Sequence, residues 1–292
     1  MKKGHGPLYA LIAFMVFVWS ANFIVAKVAL RHFPALLLAG MRAAVAAAFL
    51  LPAYWWRRRR NQEQWTREDL PGLAWLALFG VALNQFLFVV GLSRTSVAHS
   101  AIIAGLSPIL VLTIASVVGL ERFTSRKVAG MAVALMGVAI LKSFEHAGSG
   151  ATWQGDLCIF LGGLSFALFT VFGKQATLRY SSLTVNTFAY AGGALALLPV
   201  TLWAGWRFPF AHVGAGGWLA LVYMALFPSV IAYLIYYYAL RRIAATRLSA
   251  FSYLQPLLAT AMGVALLGEP LTTPVIAGGA VIFGGVYLAE RG

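Results

Sequence analysis

A chain of 292 residues that is 61% apolar and only 10% charged has too few ionic groups for a soluble globule, which carries about 25%. The deficit runs the whole length, so one anchor on a soluble domain is excluded; at ~20 residues per span the chain is used up by about ten crossings. The net charge of +14 does not mark a nucleic-acid ligand, because the basic residues stand in short connections between apolar runs, where they set orientation.

The first run starts at Leu8 behind Lys2 and Lys3, in the manner of a signal peptide. It continues through Trp19 to Lys27 with no small-residue cleavage site, so it reads as the first span. Further runs follow at about 34–54, 71–92, 97–118, 126–143, 155–175, 183–203, 216–239, 247–267 and 274–290. Each is about twice as long as a membrane strand and lacks two-residue alternation. In hydrocarbon every backbone polar group needs an internal partner, so these runs are expected to be helices. The expected fold is an all-α integral membrane protein of ten transmembrane helices.

Lysines and arginines divide unequally between alternate connections. One side collects Lys2, Lys3, Arg57 through Arg60, Arg67, Arg122, Arg126, Lys127, Lys174, Arg179, Arg241, Arg242, Arg247 and Arg291. The other collects Arg31, Arg94, Lys142 and Arg207. The positive-inside rule then puts both termini in the cytoplasm. Trp55 and Trp56 ahead of Arg57 fit an interfacial belt.

The chain repeats itself. A shift of 148 residues lays Leu92 on Leu240, Arg94 on Arg242, Pro108 on Pro256, Glu121 on Glu269, Gly130 on Gly278 and Gly137 on Gly285. A shift of 147 lays Lys27 on Lys174 and Pro52 on Pro199. The expected domains are a first five-helix repeat, 1–148, and a second, 149–292. An odd number of spans per repeat inserts the second copy upside down, and such inverted pairs typically hold a solute near the midplane. A duplicated scaffold without transport is the alternative.

Polar groups inside spans are costly and mark function by default. In the first span Trp19, Asn22, Phe23 and Lys27 follow one helical stripe; Trp19 either lines a cavity or packs, and Lys27 either faces the path or snorkels to the interface. Arg42, eight residues into the second span, would bind a substrate carboxylate or form a structural pair. Gln85 and Phe88 of the third span align with Tyr233 and Tyr236 of the eighth, where Tyr237 shares the face. Ser252, Tyr253 and Pro256 of the ninth span stand opposite Ala104, Gly105 and Pro108 of the fourth, so the two-fold scaffold is expected to enclose a lopsided pocket. Pro108 and Pro256 give a hinge or a fixed bend. His99 either carries a proton or is held in place at the interface, and Glu121 and Glu269 are expected to serve helix connections.

No Asp or Glu is placed mid-span, with Asp156 terminal, so a carboxylate coupling site is not expected and transport would run on the substrate gradient. The single Cys158 and the scatter of His, Asp and Glu exclude a disulfide, a metal centre and a hydrolytic triad; no cofactor and no enzymatic activity are expected.

On Trp19-Ser20-Ala21-Asn22-Phe23 with Lys27, on Arg42, and on the Pro108…Glu121 and Pro256…Glu269-Pro270 pairs, the chain resembles the drug/metabolite transporter superfamily in its ten-helix EamA-like branch. The resemblance covers essentially the whole chain. It implies a bacterial inner-membrane exporter working by alternating access around a central cavity. Within that branch the chain is similar to the YddG-type exporters, which implies export of aromatic amino acids. The second repeat departs from the pattern, with Leu164-Ser165-Phe166-Ala167-Leu168 in place of the tryptophan string. The expected partners are a small-molecule substrate, an amino acid first, and the lipid bilayer around a monomer; a facilitator of drugs, sugars or nucleosides is the alternative.

Overall fold

The computed structural model describes residues 6–61, 65–120, 124–143, 151–269 and 271–290, which form helices and, among the described residues, no strand. In chain order they are α1 Gly6–Ala29, α2 Ala35–Asn61, α3 Arg67–Ser93, α4 Val97–Val117, α5 Ser125–Ser143, α6 Trp153–Arg179, α7 Ser182–Gly205 and α8 Ala215–Leu240. They continue with α9, in two pieces Ala245–Ala250 and Leu254–Leu267, and α10 Thr273–Glu290. Seven of them, α1 to α4 and α6 to α8, are long and apolar enough to cross a membrane. The unbroken ninth span expected at 247–267 is not found: a 3₁₀ turn at Phe251–Tyr253 divides α9, leaving a shorter apolar helix.

Contacts between helix ends sort the connections onto two ends of the bundle. At end A, Thr152 before α6 donates from N (2.9 Å) and Oγ1 (2.7 Å) to the Arg94 carbonyl after α3. There too Phe33 after α1 meets Trp218 of α8 at 5.4 Å between rings. At end B, Arg179 of α6 pairs with Asp69 of α3 at 2.7 Å, and Lys174 donates to the Ile243 carbonyl after α8 at 3.1 Å. Helix α1 therefore runs from B to A, whereas α6, its counterpart at offset 147, runs from A to B.

Two helix pairs carry the same relation in their packing. A Cβ on Gly137 of α5 would meet the Gly278 carbonyl of α10 at 2.8 Å and Ile282 N at 2.7 Å; one on Gly285 would meet the Gly130 carbonyl at 2.6 Å and the Ala134 backbone. Position 137 thus faces the equivalents of 130 and 134, and the reverse contact is made as well. Such reciprocity is what a two-fold axis imposes. In α2 and α7, Gly40 abuts Thr201 while Tyr54 meets Phe188 at 5.9 Å, which repeats the pattern along the two helices.

Matching irregularities fall at matching positions. The middle of α3, Leu76–Leu83, and the middle of α8, Ala225–Ile231, are both π-helical. Helix α4 breaks at Gly105 and Leu106, and Pro108 sits in the first turn of the following piece, where a missing N–H costs nothing. Pro256 follows the 3₁₀ turn of α9 in the same way, and its Cγ lies 3.0 Å from where a Cβ on Gly105 would be. The two breaks therefore pack on each other. Helix α4 ends at Gly119, φ 77°, with Leu120 N donating to Ala115 O and Gly119 N to Ser116 O, the double bond of a Schellman turn.

Substitution tests the close approach of α5 and α10. Gly137→Ala and Gly285→Ala press a methyl into opposing backbone and are expected to cost about 1–3 kcal/mol each. Gly284→Ala, which meets nothing within 4 Å, is expected to be neutral or slightly stabilising. Thermal unfolding midpoints in detergent separate the two outcomes.

Candidate functional site

A π segment breaks the regular helical ladder, and the carbonyls it frees must find donors elsewhere. In α8 the Pro228 carbonyl accepts from the Trp19 indole of α1 at 3.1 Å, and Ser229 and Val230 carbonyls accept from Asn186 Nδ2 of α7 at 3.3 Å each. In α3 the Phe79 carbonyl accepts from Ser165 Oγ of α6 at 2.9 Å, and the Gly80 carbonyl from Tyr233 Oη of α8 at 3.3 Å. Trp19 and Ser165 thus perform corresponding tasks, each tying the opening helix of one half to the π segment of the other.

Between these ties lies a cavity of about 110 Å³, several times what one water occupies. Its lining pairs off under the repeat: Trp19 with Phe166, Gln85 with Tyr233, Ala104 with Ser252, and Ser107 with Gln255. Two of those pairs touch, Trp19 and Phe166 edge to face at 5.8 Å and Gln85 Nε2 donating to Tyr233 Oη at 3.2 Å. The cavity therefore sits on the local two-fold axis.

One wall is aromatic. Trp19 lies 5.5 Å from Tyr233 and 5.4 Å from Tyr236, and Phe23 meets Phe88 at 5.2 Å. The other wall is polar. Asn84 Nδ2 donates to the Gly162 carbonyl at 2.9 Å and Gln85 Nε2 to Asn84 Oδ1 at 3.2 Å. Arg42 is 2% exposed, and its Nε donates to Ser229 Oγ at 2.9 Å. Its Nη1 and the Oδ1 of Asn22 are buried with no hydrogen-bond partner among the described residues, and both residues line the cavity. Among the described residues, no carboxylate is in the lining.

The structure brings Trp19, Asn22, Phe23, Arg42, Gln85, Phe88, Tyr233 and Ser252 to this cavity. It leaves Tyr237 out. One turn beyond Tyr233 toward end B, that ring is fully buried against Phe169 at 5.6 Å, and it forms part of an aromatic plug rather than the lining. The Tyr253 side chain and all of Glu121 lie outside the described residues. Sequence reasoning missed Phe166, Ser107, Gln255, Ile159, Gly162 and Gly163 as lining residues. Carrying Trp19 across by 147 would have found Phe166.

The remaining candidates hold end A together. Lys27 does not reach the cavity or snorkel: its Nζ donates to the Leu92 carbonyl at 2.8 Å and the Thr95 carbonyl at 2.5 Å, closing the C-terminal end of α3. Lys174 makes the equivalent bond at end B. Glu269 accepts from Val97 N at 2.9 Å and Ala98 N at 3.1 Å, so it caps α4 from the α9–α10 connection. Asp156 was expected at a helix end. It is in the first turn of α6 but only 3% exposed, because it accepts from Thr95 Oγ1 at 2.5 Å and faces His99 Nδ1 at 3.3 Å.

A helical membrane bundle with a solvent-sized hollow between two matching halves is the architecture of a transporter. Residues 6–143 and, separately, residues 153–290 match the EamA-like transporter family, and the chain belongs to that family. An uncharacterized transporter of Archaeoglobus fulgidus is 26% identical over all of this chain and 99% of its own length. The uncharacterized transporter YyaM of Bacillus subtilis is 28% identical over 96% of this chain and 92% of its own. The uncharacterized inner membrane transporter YedA of Escherichia coli is 27% identical over 91% and 85%. A solved crystal structure, 20% identical, shares the fold with a TM-score of 0.68 over 99% of this chain and 98% of its own.

The carbonyl ties are testable. Trp19→Phe and Ser165→Ala each orphan a buried carbonyl and are expected to cost roughly 1–3 kcal/mol. Exposed Ser93→Ala should stay within about 0.5 kcal/mol, all three read as unfolding midpoints.

Proposed function

We propose that this transporter exports small metabolites, namely amino acids with uncharged side chains and aromatic ones above all, across a bacterial inner membrane. End B carries Arg57, Arg67, Arg179, Arg241 and Arg242 and is, by the positive-inside rule, the cytoplasmic end; both termini then lie inside. Residues 1–148 and 149–292 act as two inverted five-helix repeats that rock about the cavity and open it to one end at a time.

The observation that carries the substrate assignment is a pair of unpartnered buried atoms on two residues that line the cavity. Arg42 Nη1 is a charged donor without an acceptor, and Asn22 Oδ1 an acceptor without a donor. An α-amino acid supplies a carboxylate to the first and an ammonium to the second. Arg42 gains the charge-assisted bond that a planar guanidinium makes with a carboxylate. Trp19, Phe23, Phe88, Phe166 and Tyr233 offer an apolar surface to the side chain, and Gln85 and Ser252 further hydrogen bonds. The lining carries a buried arginine and, among the described residues, no carboxylate, which disfavours organic cations; the substrate gradient is the driving force in this reading.

Arg42→Met separates function from stability. Removing a buried charge without a counter-ion is expected to leave the unfolding midpoint unchanged or raise it. Counterflow of labelled phenylalanine in proteoliposomes should fall about tenfold or more, the loss of one charge-assisted bond. A counterflow panel over amino acids, sugars and nucleosides tests the class: saturable exchange of sugars or nucleosides without amino acids would overturn it.

A further inference from the structure

A guanidinium offers a carboxylate two edges: a side edge through Nε and one Nη, and an end edge through the Nη atoms. At Arg42 the neighbouring serine chooses between them. Ser229 is fully buried in the π segment of α8; its Oγ accepts from Arg42 Nε at 2.9 Å and donates to the Met224 carbonyl at 2.8 Å. The second bond has a cause one residue away. In an α-helical register Met224 O would accept from the N–H of residue 228, and Pro228 has none. A hydroxyl carries a single proton. Ser229 directs it to Met224 O, so only lone pairs face the guanidinium.

The serine is itself held from two other helices. Trp19 of α1 donates to the Pro228 carbonyl at 3.1 Å, and Asn186 of α7 donates to the Ser229 and Val230 carbonyls at 3.3 Å each. A fixed acceptor therefore meets Arg42 Nε, while Nη1 stays buried without a partner.

We propose that Ser229 is a positioning residue for the solute: by holding Nε it closes the side edge of Arg42 and directs the substrate carboxylate to Nη1. This deepens the amino-acid reading above and rests on it. The other half of the molecule shows that the fold does not require the device. The offset of 148 carries Pro228 and Ser229 to Gly80 and Val81, and the π segment Leu76–Leu83 forms with neither a proline nor a hydroxyl. That half has no arginine to orient, since the offset of 147 carries Arg42 to Ala189. The serine and proline thus accompany the arginine rather than the π geometry.

Counterflow of labelled phenylalanine in proteoliposomes reads the consequence. Ser229→Ala is expected to raise the half-saturation concentration roughly three- to tenfold while the maximal rate stays within about twofold. In an Arg42→Met background the same substitution should change half-saturation by less than about twofold, because the serine acts through the arginine. Ser229→Cys keeps the shape and weakens the acceptor; it should give the same pattern and serves if Ser229→Ala fails to fold. Unchanged half-saturation in the single variant, or an equal proportional rise in both backgrounds, would overturn the proposal.

A second measurement needs no substrate. In protein carrying isotope-labelled arginine, the Nε–H resonance that Arg42→Met removes is expected to move toward those of exposed arginines in Ser229→Ala. A resonance that stays in place would overturn the proposal by itself. Absent phenylalanine exchange by the parent protein would overturn the substrate assignment alone, and the resonance would then decide whether Ser229 orients Arg42.

Discussion

A backbone carbonyl freed from its helix inside hydrocarbon costs several kcal/mol until a donor reaches it. The organisation of this protein follows from meeting that demand at two corresponding places. The π segments of α3 and α8 free carbonyls near the centre of the bundle, and the donors that reach them come largely from the opposite half: Trp19 for Pro228, Ser165 for Phe79, Tyr233 for Gly80. Since the donors' own rings and hydroxyls occupy the interface, the halves meet through polar ties and aromatic edges. A hollow on the local two-fold axis remains between them.

Symmetry accounts for the scaffold, and departures from it account for the site. Lys27 and Lys174 close equivalent helix ends, and the paired glycines of α5 and α10 let those helices touch through backbone. At the cavity the paired positions hold unlike residues: tryptophan faces phenylalanine, glutamine faces tyrosine, alanine faces serine. Arg42, the one buried arginine among the described residues, has no counterpart, because the offset of 147 carries it to Ala189. A solute in the hollow thus meets one charged side and one aromatic side. The acid and imidazole at end A, Asp156 and His99, are a second departure, since the offsets of 147 and 148 carry them to Tyr9 and Arg247.

The helical positions were legible in the sequence because membrane spans announce themselves by length and missing charge. The stripe Trp19, Asn22 and Phe23 and the depth of Arg42 were legible because polar groups in hydrocarbon are conspicuous. The π segments were not. No residue pattern distinguishes Leu76–Leu83 from ordinary apolar helix, and Pro228 hints at the irregularity in only one half. Lys27 misled because a lysine near a span end usually reaches water; its target, a pair of carbonyls 65 and 68 residues along the chain, exists only after folding. Asp156 was legible as terminal and does stand in a first turn, but its burial was not, because Thr95 and His99 reach it only after folding. Tyr237 shares a helical face with Tyr233, yet periodicity does not say which turn of that face meets the hollow.

The carrier account requires that the two ends open in alternation about a solute bound at Arg42. Double electron–electron resonance measures this directly, with one spin-label pair at end A, Ser93 and Trp206, and another at end B, Arg57 and Leu178, all exposed positions. Saturating phenylalanine is predicted to shift the two distance distributions in opposite senses, one end widening as the other closes. Distances that stay fixed at both ends, or widen together, would contradict the account.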